Sequence, residues 1–187
     1  TFNPGLPASL ALYQESGSPT ASNKFSDNRF EIQAGDTLNI YAKIFDIFGI
    51  SLGDYNSALI DKKYVQWAIE DTIPGMSDSA GIFGSHLDNA MYIPEIAGRG
   101  INIIASYKEP NMSFPLLDTV KLGIIPADPH HVVVEAAPNA SLTEDMALDT
   151  LHIFSNDTVA YAYLVVRDRY GNLIGPSLNT EWNSGNE

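Results

Sequence analysis

The chain carries two copies of one pattern. In the first, Ile32-Gln33-Ala34-Gly35-Asp36-Thr37 leads into a strand-like run, then Asp46-Ile47-Phe48-Gly49-Ile50-Ser51-Leu52, then Tyr64-Val65-Gln66-Trp67. In the second, Ile153-Phe154-Ser155-Asn156-Asp157-Thr158 leads into a similar run, then Asp168-Arg169-Tyr170-Gly171-Asn172-Leu173-Ile174, then Asn179-Thr180-Glu181-Trp182. A repeat of this kind makes the chain an array of similar units, which restricts the fold more than any local signal. The copies are unequal: the first continues for 58 residues from Trp67 to Ile125, whereas five residues follow Trp182.

Alternation of apolar and polar residues identifies the unit. Leu38, Ile40, Ala42 and Ile44 interleave with Asn39, Tyr41, Lys43 and Phe45, a period of two that a helix does not satisfy. The same reading predicts strands over 7–14 (Leu10 and Leu12 on one face), 64–69 (Val65, Trp67, Ile69) and 101–107 (Ile101, Ile103, Ala105, Tyr107). It also predicts one over 119–125 (Val120, Leu122, Ile124) and short strands at 81–83 and 91–93, with residues 15–28 a polar loop. Asp46-Ile-Phe-Gly49 reads as a turn, the carboxylate accepting backbone N–H groups two residues on and the glycine supplying positive φ. About seven strands separated by turns, with no helix, point to an all-β, immunoglobulin-like antiparallel β-sandwich with Trp67 in its core.

Pro126-Ala-Asp-Pro129 marks a short, semi-rigid joint. The expected division is a complete sandwich over 1–126 and the first three strands of a second over 127–187. Those strands are His131 to Glu135, Thr158 to Arg167 and one bearing Trp182. Asp36 to Asp46 is ten positions and Asp157 to Asp168 eleven, so the extra residue is expected as a β-bulge, with Val166, Leu164 and Ala162 facing the core. Three strands cannot close a sandwich. The second copy therefore implies either a fragment of a larger parent chain or completion from outside, by a donated strand or a domain swap with a neighbouring subunit.

The pattern Asp-Thr, strand, Asp-x-aromatic-Gly-Asn-x-Ile, then a Trp-bearing strand, resembles the bacterial immunoglobulin-like repeats of intimin- and invasin-type surface proteins. Arg167 to Ile174 fits it well; Phe45 to Leu52 departs at Ile50, where Asn is usual. The resemblance covers most of both copies and implies the fold and an extracellular or cell-surface setting. Such repeats are usually spacers in long surface or secreted proteins, and some sit beside catalytic domains of polysaccharide-degrading enzymes.

Composition narrows the partners. The chain is 44% apolar and 10% aromatic, ample for a core, and its net charge of −13 disfavours nucleic acid and anionic lipid. No apolar run approaches about 18 residues, so no membrane insertion is expected, and no basic, apolar leader opens at Thr1. The absence of cysteine removes disulfides, thiolate metal sites and cysteine nucleophiles.

No catalytic, cofactor-binding or metal-ligating residue stands out, and no enzymatic activity is expected. His86 and His152 are isolated, and adjacent His130 and His131 should point to opposite faces of a strand. Glu70-Asp71 and Glu144-Asp145 read as solvated turn charges. No cofactor is expected, and the one ion the composition suits is structural calcium, for which Asp54 to Asp61 and Asp71 to Asp78 are oxygen-rich without a defined loop spacing. Lys43 points outward, unsuited to an isopeptide crosslink. Trp67 and Trp182 belong to cores, while Tyr13, Tyr41 and Tyr55 are the outward aromatics on which a sugar could stack. The reading that follows is a non-catalytic spacer or adhesive segment of a bacterial cell-surface or secreted protein. Polysaccharide or a host surface ligand are its expected partners beyond the parent chain. The alternatives are a carbohydrate-binding or accessory module and a fibre subunit completed by strand donation.

Overall fold

The computed structural model describes residues 5–14, 24–25, 29–55, 60–71, 81–138, 148, 150, 159–177 and 181. These form eleven strands in three sheets. The first sheet has the order β1 (Pro7–Tyr13), β3 (Leu38–Asp46), β6 (Asn89–Pro94), β5 (Gly81–His86), all antiparallel. The second runs β2 (Phe30–Gln33), β8 (Leu116–Ile125), β7 (Gly100–Tyr107), β4 (Val65–Asp71). Its one parallel pair is β2 with β8, so the chain that leaves the first sheet after β1 joins the edge of the second. The third runs β11 (Leu173–Pro176), β10 (Tyr163–Asp168), β9 (Pro129–Glu135), again antiparallel. Among the described residues helical structure is limited to one turn, α1 (Leu52–Tyr55), and a 3-10 turn at Lys62–Tyr64.

One apolar core lies between the first two sheets. Leu10, Leu12, Leu38, Ile40, Ala42 and Ile44 meet Ile101, Ile103, Ala105, Val120, Leu122 and Ile124, as the alternation predicts. Burying each Ile or Leu stabilises the fold by roughly 1.5–3 kcal/mol. Val65 is buried, but Trp67, expected in the core, is like Ile69 only half-buried and packs against the core from its edge strand. The Trp67 indole N–H donates to the Leu87 carbonyl at 2.8 Å, tying the second sheet to the β5–β6 turn of the first. The strand β2 was not legible: four residues in mixed polar sequence carry no alternation long enough to read.

Over one pair of strands in each copy the repeat is reproduced in register. In β1 and β3, Tyr13 pairs with Tyr41, Ala11 with Lys43, Ser9 with Phe45 and Pro7 with Asp46. In β9 and β10, Glu135 pairs with Tyr163, Val133 with Val165, His131 with Arg167 and Pro129 with Asp168. Every equivalent lies 122 positions on, as from Asp46 to Asp168. Each pairing skips one residue of its first strand, Ala8 or His130.

Four expectations change here. The one-residue difference between copies is not a bulge within β10, since Tyr163–Asp168 matches Tyr41–Asp46 without insertion; the extra residue lies before Tyr163, where 159–162 form no strand. A bulge at His130 turns two consecutive side chains to one side, so His130 and His131 meet with their Nδ1 atoms 3.3 Å apart instead of pointing apart. Val166, Leu164 and Ala162 are only half-buried, and the buried face of the third sheet is the opposite one, with Val133, Glu135, Val165 and Arg167. The side that in the first copy builds the core is here exposed at Val132 and half-buried at Val134, Leu164 and Val166. Lastly, the third strand is β11, which follows directly on the turn; Trp182 and residues 151–158 lie outside the described residues.

Candidate interface between the two copies

The Asp46 and Asp168 turns share one geometry. Asp46 Oδ1 accepts from Phe48 N–H at 2.8 Å and Ile50 N–H at 2.9 Å, while Gly49 N–H donates to the Asp46 carbonyl at 3.1 Å. Asp168 Oδ1 accepts from Tyr170 N–H at 2.8 Å and Asn172 N–H at 2.9 Å, and Gly171 N–H donates to the Asp168 carbonyl at 3.1 Å. Gly49 and Gly171 hold φ of +77° and +82°, which an L side chain rarely adopts. The second carboxylate oxygen of each aspartate reaches 41 residues back, to Gly5 N–H at 2.9 Å or Ala127 N–H at 2.8 Å. Each turn therefore pins the chain that enters its own first strand.

Burial disfavours the Asp46 charge, but N–H donors at Gly5, Ile50, Phe48 and Gly49 more than offset this and hold its pKa below the ordinary 3.8. Asp168 behaves alike: desolvation is outweighed by the Asn172 amide and by N–H groups of Ala127, Asn172 and Tyr170, so its pKa is also lowered.

The copies diverge at the fifth residue. Where the first has Ile50, the second has Asn172, and this side chain crosses to the first sandwich. Its Nδ2 donates to the Glu95 carbonyl and to Asp168 Oδ2, both at 2.8 Å, and its Oδ1 accepts from Ala97 N–H at 2.8 Å. Asn172 is 1% exposed, so both its amide protons and its oxygen are satisfied in a dry setting. Beside it, Tyr170 and Ala127 pack against the first core. The Arg169 guanidinium lies 4.8 Å from the Tyr170 ring centroid, and both residues sit over Gly35.

The seat is built from three loops at one pole of the sandwich. Ala34 N–H donates to Ile125 O at 2.9 Å, Gly35 N–H to Pro94 O at 2.6 Å and Gly98 N–H to Ile124 O at 2.9 Å. These bonds hold the end of β2, the end of β6 and the end of β8 together, leaving Glu95 O and Ala97 N–H for Asn172. On the other side of the turn, Arg167 Nε donates to Glu135 Oε1 at 2.7 Å and Nη1 to Gly171 O at 2.5 Å, with both side chains fully buried. The ion pair thus ties the turn to its own sheet.

The aspartates were legible as turn formers, and they are. Asn172 and Gly35 were not legible as interface residues, although the Ile50/Asn172 difference between copies was the signal available. Tyr13, expected outward, is buried beside the Phe45 ring, with centroids 6.2 Å apart; burial and then the Asp118 carboxylate raise its pKa. Tyr41 is half-buried, and the Tyr55 side chain lies outside the described residues. Lys43 is on the outer face of β3 but 9% exposed rather than free in solvent. Glu70 is an exposed residue of β4, not of a turn. Of the oxygen-rich stretches, Asp61 caps the 3-10 turn and pairs with Lys63, whose hydrogen bond lowers its pKa; most of the rest, with His152 and Glu144-Asp145, lies outside the described residues. Among the described residues His, Asp and Glu do not gather in threes. A cavity of about 310 Å³ beside α1 is lined by Tyr41, Lys43, Ile60, Lys62 and Asp88, and Lys62 pairs with Asp88 at 2.6 Å across it. No protein-family model, curated protein or solved structure matches this chain.

Proposed function

We propose that the chain is a segment of a tandem array of immunoglobulin-like modules, a non-catalytic spacer or adhesive stalk in a larger bacterial cell-surface or secreted protein. The orders β1-β3-β6-β5 and β2-β8-β7-β4 correspond to the A-B-E-D and A′-G-F-C sheets of such a module, the first strand switching sheets part-way. Residues 127–187 are read as the start of a second module, because the pair β9–β10 repeats the register of β1–β3. The observation that carries the reading is Asn172, which fixes the second copy to Glu95 and Ala97 of the first. A buried, fully bonded amide across a junction resists bending, as a spacer requires and a loosely tethered pair does not.

The test is the relative orientation of the two copies in the full chain, from residual dipolar couplings. One alignment tensor for both copies supports a stiff stalk; two independent tensors overturn it.

A second reading, completion in trans, is favoured by the third sheet. Val132 is 52% exposed and Val134, Leu164 and Val166 are half-buried, whereas their equivalents Leu10, Leu12, Ala42 and Ile44 are all core. Light scattering across a concentration series separates the two, since association that rises with concentration favours the fibre subunit.

A further inference from the structure

The pole of the first sandwich opposite the Asn172 seat presents the same turn with nothing described upon it. By the repeat correspondence, Leu6, Ile47 and Phe48 occupy the places of Asp128, Arg169 and Tyr170. In the second copy two of those places face the junction, since Tyr170 packs on the preceding core and Arg169 lies over Gly35, while Asp128 beside them is exposed. In the first copy Leu6, Ile47 and Phe48 are 81%, 74% and 63% exposed. Three adjoining apolar side chains left in water around one turn are costly for a spacer surface, and such a patch marks a contact site. The entering segment repeats as well, since Pro4-Gly5-Leu6-Pro7 matches Pro126-Ala127-Asp128-Pro129 in both prolines. The Asp46 carboxylate bonds Gly5 N–H as Asp168 bonds Ala127 N–H.

We infer that Leu6, Ile47 and Phe48 form a docking surface for the pole of a preceding β-sandwich of the same kind, seated as the Asp168 turn is seated on the first sandwich. This rests on the tandem reading above. The substitutions describe the occupant. Arg169 and Asp128 become Ile47 and Leu6, so this side of the contact brings no charge of its own. Asn172 becomes Ile50, so no amide bridges to its backbone, and apolar burial supplies the contact. The Gly35 example requires a glycine, or equally open backbone, beneath Phe48: a Cβ at Gly35 would lie 2.8 Å from Tyr170 Cε2.

The test is a tandem protein in which a second copy of residues 1–125 is joined directly to Pro4 of the chain, reproducing the native spacing of Ile125 to Pro126. The buried core of the sandwich is drawn from residues 10–124, so the added copy brings its core with it. Limited proteolysis and hydrogen exchange are read at the new junction and, in the same molecule, at Pro126–Pro129. The expected result is protection at both. Ile47→Ser with Phe48→Ser in the downstream sandwich should then speed cleavage at the new junction by roughly tenfold or more, the loss of about one side chain's burial. Cleavage at Pro126–Pro129 and the melting of the sandwich should not change. A labile new junction beside a protected native one, or protection indifferent to the serine pair, overturns the inference. Lability at both junctions overturns the tandem reading along with it.

Discussion

Tyr170 of the second copy lies over Gly35 of the first where any larger residue would place its Cβ. Gly35 sits at φ +87° in the turn that follows β2, and the Arg169 guanidinium crowds the same point. One glycine therefore serves two ends, a left-handed turn in its own sandwich and a flat seat for the next copy.

Gly35→Ala separates these ends when set against Gly49→Ala. Gly49 also has positive φ, at +77°, but an added Cβ there meets nothing within 4 Å. Both variants should lose about 1 kcal/mol to the left-handed backbone. Only Gly35→Ala should also open the junction, seen as faster proteolysis between Pro126 and Pro129. Equal proteolysis in the two variants would show that Tyr170 does not need the seat.

Asn172→Ala removes the acceptor of Ala97 N–H and the donor to Glu95 O. A buried unsatisfied group costs about 1–3 kcal/mol, and the loss should fall on the junction rather than on the first sandwich. Hydrogen exchange should speed at Ala97 while Ile103 and Val120 remain protected. Ile50→Ala should leave Ala97 exchange unchanged.

Acid should loosen both turns. Asp46 and Asp168 have folded pKa values below 3.8, so the unfolded chain binds more protons as pH falls and their contribution is lost in that direction. The contribution is fully present above about pH 5 and declines as pH drops below 3.8 toward the folded values. Melting temperature should hold steady from neutral pH down to about 5 and then fall. Asp46→Asn with Asp168→Asn should be less stable at neutral pH but show a shallower acid decline; an unchanged decline would place the acid sensitivity elsewhere.

The buried pair Glu135–Arg167 should behave asymmetrically. Glu135→Gln or Arg167→Met alone leaves a charge without its partner in a dry site and should cost about 3–5 kcal/mol in the third sheet. Glu135→Leu with Arg167→Met should recover most of that loss, because apolar replacement removes both desolvation costs. Denaturant titration followed by exchange at Val165 measures the comparison.

Much of the sandwich was legible because the information is local. Alternation along 38–44, 101–107 and 120–124 names the inward face of a strand without reference to its neighbours. Where two elements decide together, the reading failed. Tyr13 and Lys43 are polar by alternation but lie covered, and the third sheet buries the face opposite to the one its alternation names. Which face of a strand is inward depends on where the partner layer lies, which no single strand records.

The sequence by itself determined the repeat, most strands of the first sandwich and the two aspartate turns, since a carboxylate and a glycine three residues later specify that backbone through bonds spanning four residues or fewer. Only the tertiary structure decided what the turns are for. Asn172 meets Glu95 and Ala97 more than seventy residues away, and Tyr170 finds Gly35 across the junction. Such meetings depend on the packing of whole sheets, because a side chain's partner across a junction is set by the position of every layer between them.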